Sequence, residues 1–389
     1  MSAPPQDTAS APAPLSLMII TGEVSGDMHA AAVLREARRL RPGLRAYGIG
    51  GDALRAEGME VLVDVSEMAV MGISEVLRRL GFFRKVMRQM TDVAVRTRPD
   101  AVLLVDYPDF NLRFAARARA AGLRVVYYIC PQVWAWRRAR IPRMARNVDT
   151  LISIFPFEPG HFEGTGLDAP FVGHPLVDEA ENALARPRQE LPWCGAPRLA
   201  LLPGSRPDEI RRMLPVMLET GAHLRRAFPD LGILVAAPSE REAALAAQIE
   251  GEAPCEAGPV RFVAGKTREI LRQADAALVK SGTSTVEAAL MGCPMVIAYR
   301  VSPLTYMLGK LLVRVPHIGM ANIIAGRRVC PEFVQSAVRA EHMAAALRPL
   351  LQDTPQRRSM CEGLAGVRSA LGERGASARA AQALVRAMT

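Results

Sequence analysis

Residues 17–27 read L-M-I-I-T-G-E-V-S-G-D. Leu17–Thr21 is a short apolar run that reads as a strand. The small residues that follow make a tight turn, and from Asp27 to Leu40 the apolar positions recur with a helical period until Pro42 stops them. A strand feeding directly into a helix is the opening unit of a parallel α/β sheet.

The same alternation continues outward. Further strands are expected at Arg45–Ile49, Ala101–Val105, Arg124–Ile129 and Thr150–Ile154. A proline-rich, charged stretch from about Asp178 to Pro197 reads as a linker. The alternation then restarts with Leu199–Leu202, Gly232–Ala236, Val260–Val263, Ala276–Val279 and Met295–Tyr299. The sequence therefore predicts four parts: a Pro/Ala/Ser-rich disordered tail (1–15), an N-terminal domain (16–184), a C-terminal domain (185–355) and a helical end (356–389). Two α/β halves of similar size imply a cleft between them, with ligands outside the carboxyl ends of the strands.

Composition narrows the function. The 389 residues carry 49 basic and 39 acidic side chains, a net charge of +10. Arginine supplies nearly all the positive charge; lysine stands at Lys85, Lys266, Lys280 and Lys310. Part of this excess reflects an Ala- and Arg-rich coding bias, and the remainder favours anionic partners. Six scattered cysteines form no C-x-x-C pair, which argues against a zinc site and a disulfide framework. No stretch reaches the ~18–20 apolar residues of a membrane-spanning helix. Ala288–Tyr299, the longest candidate, contains Gly292 and Pro294 and reads as a helix end, a turn and a strand.

Four strand ends carry candidate chemistry. In T-G-E-V-S-G-D, Glu23, Ser25, Gly26 and Asp27 stand where a helix N-terminus attracts anions, although Ser25 or Asp27 would serve equally as a cap. The absence of G-x-G-x-x-G counts against a nicotinamide cofactor. In V-D-Y-P-D-F-N (105–111), Asp106 ends an apolar strand and suits a general base for a hydroxyl nucleophile, whereas Asp109 fits a helix cap. In L-P-G-S-R (202–206), Ser205 and Arg206 end the first strand of the second half, and an arginine there can grip phosphate. In K-S-G-T-S-T-V-E (280–287), Ser281, Gly282 and Thr283 open a helix that suits a pyrophosphate. Glu287, one turn in, could accept from ribose hydroxyls or close a capping box with Thr283 or Ser284.

Three segments mix basic and apolar residues. Residues 70–90 place Ile73, Val76, Leu77, Leu80, Phe83, Met87 and Met90 on one helical stripe bordered by arginines. The period alone fits a core-facing helix. Two neighbours, W-A-W-R-R-A-R-I-P-R (134–143) and the apolar Leu304–Val313, favour an acidic lipid surface or a lipid substrate instead. No recognition helix, RNA motif or basic tail supports nucleic-acid binding.

Taken together the segments resemble the lipid-A-disaccharide synthase family. The matching stretches are G-E-V-S-G-D (22–27), A-V-M-G-I-S-E-V-L (69–77), D-Y-P-D-F-N (106–111), P-Q-V-W-A-W-R (131–137), F-V-G-H-P (171–175), L-L-P-G-S-R (201–206), S-G-T-S-T-V-E (281–287), P-M-V-I-A-Y-R (294–300) and N-I-I-A-G-R (322–327). The resemblance implies a GT-B fold, two Rossmann-like domains facing across a cleft, with the C-terminal helix crossing back to the first domain. It implies inverting transfer of 2,3-diacylglucosamine from its UDP derivative to the 6-hydroxyl of 2,3-diacylglucosamine 1-phosphate, with no cofactor and no metal. Asp106 matches the family's candidate base. Ser205, Arg206, Ser281, Gly282, Thr283, Glu287, Tyr299, Arg300 and Asn322 match its donor side. Val70, Met71, Ile73, Phe82, Phe83, Trp134 and Trp136 match its membrane- and acyl-contacting region. The implied location is the cytoplasmic face of the inner membrane, held peripherally. Tyr107 stands where the family pattern has a small residue, and Ala321 where it has proline. Other readings are a GT-B transferase or epimerase using UDP-N-acetylglucosamine, or a non-catalytic, membrane-surface nucleotide-binding module.

Overall fold

A computed structural model describes residues 14–68, 79–136, 138–252, 258–302, 306–307 and 315–389. Its first sheet contains β1 (Ser16–Thr21), β2 (Arg45–Gly50), β3 (Glu60–Asp64), β4 (Ala101–Val105), β5 (Val125–Tyr128) and β6 (Thr150–Ile152), in the order β3-β2-β1-β4-β5-β6. The second contains β7 (Arg198–Leu202), β8 (Gly232–Ala237), β9 (Val260–Ala264), β10 (Ala276–Lys280), β11 (Met295–Tyr299) and β12 (Glu332–Val334), in the order β12-β11-β10-β7-β8-β9. All pairings are parallel. Each sheet is covered by helices on both faces, so its central strands are apolar throughout. Met18, Ile20, Val102 and Leu104 enter one core, and Leu17, Ile19, Leu103 and Val105 enter the other.

Strand order reverses between β1 and β4, and again between β7 and β10. A crevice opens at the carboxyl end of a sheet where neighbouring connections leave on opposite faces. All four motifs singled out above fall at these two places: residues 22–27 after β1, 106–111 after β4, 203–206 after β7 and 281–287 after β10. Backbone approach at the first sheet is close. A side chain at Gly48 would meet the Ile19 carbonyl oxygen at 2.0 Å, so β1 and β2 pair there only because residue 48 has none.

Two expectations are corrected. The helix after β1 is Val24–Leu40, three residues longer than its apolar period predicts, with Glu23 at its N-cap and no side-chain cap. Leu176–Ala185 is a helix that packs against the helices Thr267–Gln273 and Ser284–Leu290 of the second half, so the first part of the proline-rich stretch is a packed helix and not linker. The helix Thr267–Gln273 brackets this connection: Arg272 donates to the carbonyls of Ala183 and Arg186, and Gln273 to that of Gln189.

The helix Ala376–Met388 returns to the first half. Ala380, Ala381, Leu384 and Val385 complete the core formed by Leu17, Ala30, Val33 and Leu34. Arg124 donates to the Ala387 carbonyl, and Arg379 to that of Val172.

Leu80–Thr97 carries the basic–apolar stripe. Val86, Met87, Met90 and Ala94 are buried, whereas Arg84, Lys85 and Arg88 are exposed. Phe82 and Phe83 are half-buried and pack on the same core. The described part of the stripe therefore faces inward. Val70, Met71 and Ile73 lie outside the described residues, as does most of Leu304–Val313. Among the described residues no helix is long and apolar enough to cross a membrane.

Candidate active site

The first crevice is built around Asp106. It leaves β4 with φ 47°, and Tyr107 follows with φ 46°. Two successive left-handed residues without glycine are strained, and here the surroundings impose them. Asn111, fully buried on the helix Pro108–Ala120, donates to the Asp106 carbonyl at 2.8 Å, and the Tyr127 hydroxyl donates to the same oxygen. The Asp106 N–H donates to the Tyr128 carbonyl at 3.1 Å. The backbone is thus held from three sides while the carboxylate remains half-buried. Burial, reinforced by the nearby Glu23 carboxylate, pushes the Asp106 carboxyl up to about 6, against the opposing pull of the Tyr107 N–H. A carboxyl tuned near neutrality suits proton abstraction.

Asp109 differs. Its side chain is 72% exposed and pairs with Arg140 at 2.7 Å. Tyr107 lies flat on Gly22, whose hypothetical Cβ would sit 2.0 Å from the ring, and its hydroxyl donates to the Met68 carbonyl. That packing accommodates a tyrosine at a position expected to be small. Glu23 and Ser25 are exposed on the first helical turn, and Gly26 is buried against Thr21 and Val105.

Asp27 is not open to a ligand. It is buried, and its carboxylate accepts from Gly51 N at 2.6 Å and Ala53 N at 2.9 Å, capping the next helix, Asp52–Ala56. Trp134 corrects another expectation. It is 3% exposed, with its ring edge-on to Phe157 at 4.8 Å and stacked with His161, so it is a core residue. Its indole lies beside the buried Glu158, whose carboxyl burial pushes up to about 8. The Trp136 side chain lies outside what is described.

The second crevice collects the donor-side residues. Ser205 and Arg206 are exposed on the loop that starts the helix Pro207–Arg225. Glu209 accepts from Ser205 N at 3.1 Å and from Lys280 Nζ at 2.8 Å, which fastens this loop to the end of β10. Ser281 is buried and donates to the Ile318 carbonyl at 2.7 Å. Gly282 and Thr283 lead into the helix Ser284–Leu290. Tyr299 is half-buried beneath Lys280, and Arg300 donates to the Val338 carbonyl.

Asn322 is a further correction. It is fully buried, its amide donates to Cys330 O and Glu332, and its oxygen accepts from Val329 N and Cys330 N. Every hydrogen-bonding group of the side chain is spent inside the domain, so Asn322 shapes the loop beside β12.

Glu287 does not close a capping box. It lies 3.3 Å from Arg268 Nε, and no described residue hydrogen-bonds its carboxylate. It borders a cavity of about 380 Å³, lined also by Pro238, Gly265, Lys266, Thr267 and Arg268. These residues follow β8 and β9. Sequence inspection missed them; the signal was G-K-T-R at 265–268, another strand-to-helix turn with two cations.

Comparison with known proteins places the chain in a family and identifies its fold. The family model described as lipid-A-disaccharide synthetase matches residues 17–385. A lipid-A-disaccharide synthase of Anaeromyxobacter dehalogenans is 44% identical over 375 residues, 96% of this chain and 97% of the other. Among solved structures, the Neisseria meningitidis UDP-GlcNAc 2-epimerase bound to UDP-GlcNAc superposes with a TM-score of 0.65 at 12% identity, covering 96% of this chain and all of that one. The kitacinnamycin glycotransferase also gives 0.65, at 18% identity, over 97% of this chain and all of its own. At such identities the last two speak for the fold, which is GT-B.

Proposed function

This chain belongs to the lipid-A-disaccharide synthetase family, and we propose that its two crevices divide the work of the transfer between Asp106 and the donor-side loops. The enzyme is a glycosyltransferase that moves 2,3-diacylglucosamine from its UDP derivative to the 6-hydroxyl of 2,3-diacylglucosamine 1-phosphate. The acceptor oxygen attacks the anomeric carbon, the bond from that carbon to the UDP oxygen breaks, and the configuration inverts. The hydroxyl proton passes to Asp106. Arg206 and the turn 281–283 take the charge that develops on the departing diphosphate. The uridine occupies the cavity bordered by Glu287, with the ribose hydroxyls donating to that carboxylate.

The observation that carries this reading is the placement of one raised carboxyl at the first reversal of strand order, and of an exposed arginine and a hydroxyl-rich turn at the second. The mechanism uses no metal. The exposed Arg84, Lys85 and Arg88 support peripheral attachment to the cytoplasmic face of the inner membrane, where both lipid substrates would lie. The epimerase likeness resides in the fold alone, and the non-catalytic reading leaves Asp106 without a task. Release of UDP from UDP-2,3-diacylglucosamine that requires 2,3-diacylglucosamine 1-phosphate is the expected result. Release from unacylated UDP-N-acetylglucosamine instead would overturn the assignment of substrates.

A further inference from the structure

We infer that Arg268 is a positioning residue for donor binding: it aims and charges the Glu287 carboxylate and anchors it to the interdomain helix Leu176–Ala185 through Glu179. The inference rests on the donor site proposed above. Arg268 stands between two carboxylates. Its Nε is 3.3 Å from Glu287, and its terminal nitrogen bonds to Glu179. The helix Thr267–Gln273 that carries it starts at the uridine cavity. One turn on, Arg272 grips the end of Leu176–Ala185 at the carbonyls of Ala183 and Arg186. The contact with Glu287 is ionic and leaves both carboxylate oxygens able to accept from a ligand.

Electrostatics gives the arrangement a signature. Burial raises the Glu287 carboxyl, Arg268 opposes that rise, and Glu179 adds to it. The other charged groups around the cavity are Lys266, Arg186 and Glu269. Glu179 also faces His29 on the first helix. A carboxylate that accepts from ribose must be ionised, so UDP affinity should show an acid limb set by Glu287. Losing Arg268 should move that limb to higher pH, and losing Glu179 should move it to lower pH. A contact that merely supports the fold has no reason to give shifts of opposite sign.

The test is calorimetric titration of the full chain with UDP across the acid range, comparing wild type, Arg268→Gln, Arg268→Lys and Glu179→Gln. The terminal phosphate of UDP titrates alike in all four, so only differences between limbs count. An upward shift of about one pH unit is expected for Arg268→Gln, from loss of an adjacent opposite charge. Arg268→Lys should restore most of it, and Glu179→Gln should shift the limb downward. With acylated donor, Arg268→Gln should raise KM more than it lowers kcat. Coincident limbs in wild type and Glu179→Gln would overturn the inference even if Arg268→Gln does not fold. Shifts of the same sign would overturn it as well. Wild type that binds no UDP at any pH would overturn the donor site itself.

Discussion

Replacing Asp106 with asparagine removes the base but keeps the shape of the turn. A positioned general base contributes a factor of about 10²–10⁴, so turnover should fall by that factor while UDP affinity holds. The stability of the variant should move the other way. Asp106 titrates at about 6 against an ordinary 3.8. At ~1.4 kcal/mol per pH unit, the ionised carboxylate costs the native state ~3 kcal/mol, reduced to ~1–2 kcal/mol by solvent at a half-buried site. The folded value is the raised one, so the cost is complete above pH 6 and absent below 3.8. Asp106→Asn should therefore melt higher than wild type at pH 8, by ~1–2 °C per kcal/mol for a chain of this length, and the gain should shrink as the pH approaches 4. Asparagine also tolerates positive φ, but that benefit is independent of pH and the pH series separates it. Initial rates of the wild type should fall below a limb near pH 6, and Glu23→Gln should lower that limb by removing the second cause of the shift. Turnover within about tenfold of wild type would refute the base role. A melting gain equal at pH 4 and pH 8 would refute the electrostatic reasoning.

Arg206→Ala should weaken UDP binding by ~1.5–3 kcal/mol, the worth of a charge-assisted contact; unchanged affinity by calorimetry would remove Arg206 from the site. Glu158→Gln should change the pH dependence of stability. The carboxyl is raised from 4.5 to about 8, so wild-type stability declines between those values. The variant should lose Glu158's share of that decline, most visibly between pH 6 and 8 where Asp106 no longer adds to it; a slope there equal to wild type's would exclude Glu158 as its source. Phe82→Ser with Phe83→Ser should cost ~1–3 kcal/mol of stability, because both rings are half-buried, and should also reduce sedimentation with anionic vesicles. Undiminished sedimentation would confine both rings to the core.

Strand positions were legible because parallel strands covered on both faces are apolar throughout, and Leu17–Thr21 or Ala101–Val105 allow little else. The reversal points were legible because small and hydroxyl residues cluster where strands meet helices. The partners of polar side chains were not. Asp27 and Asn322 carry the residue types of ligand-binding positions, yet one caps a helix that begins 25 residues later and the other stitches two loops of its own domain. Nothing local distinguishes a carboxylate or amide satisfied by distant backbone from one left for a ligand. Trp134 misled for a related reason: its arginine neighbours suggest a surface, but its partners Phe157, Glu158 and His161 arrive from another strand end. The pocket residues Lys266 to Arg268 were overlooked because two cations and a threonine in an arginine-rich chain attract no notice until β8 and β9 are set side by side.

The helix Ala376–Met388 closes a core begun by β1. The first half therefore cannot finish folding until the whole second half has been synthesised, and during that interval the apolar face formed by Leu17, Ala30, Val33 and Leu34 stays open. Biogenesis, more than the finished structure, is where such a face becomes a liability, since it is then an adhesive surface for chaperones or for another nascent chain. The same thread means that the halves cannot be exchanged between relatives by a single crossover. A chimera must carry its first sheet and its final helix from one parent and everything between from the other.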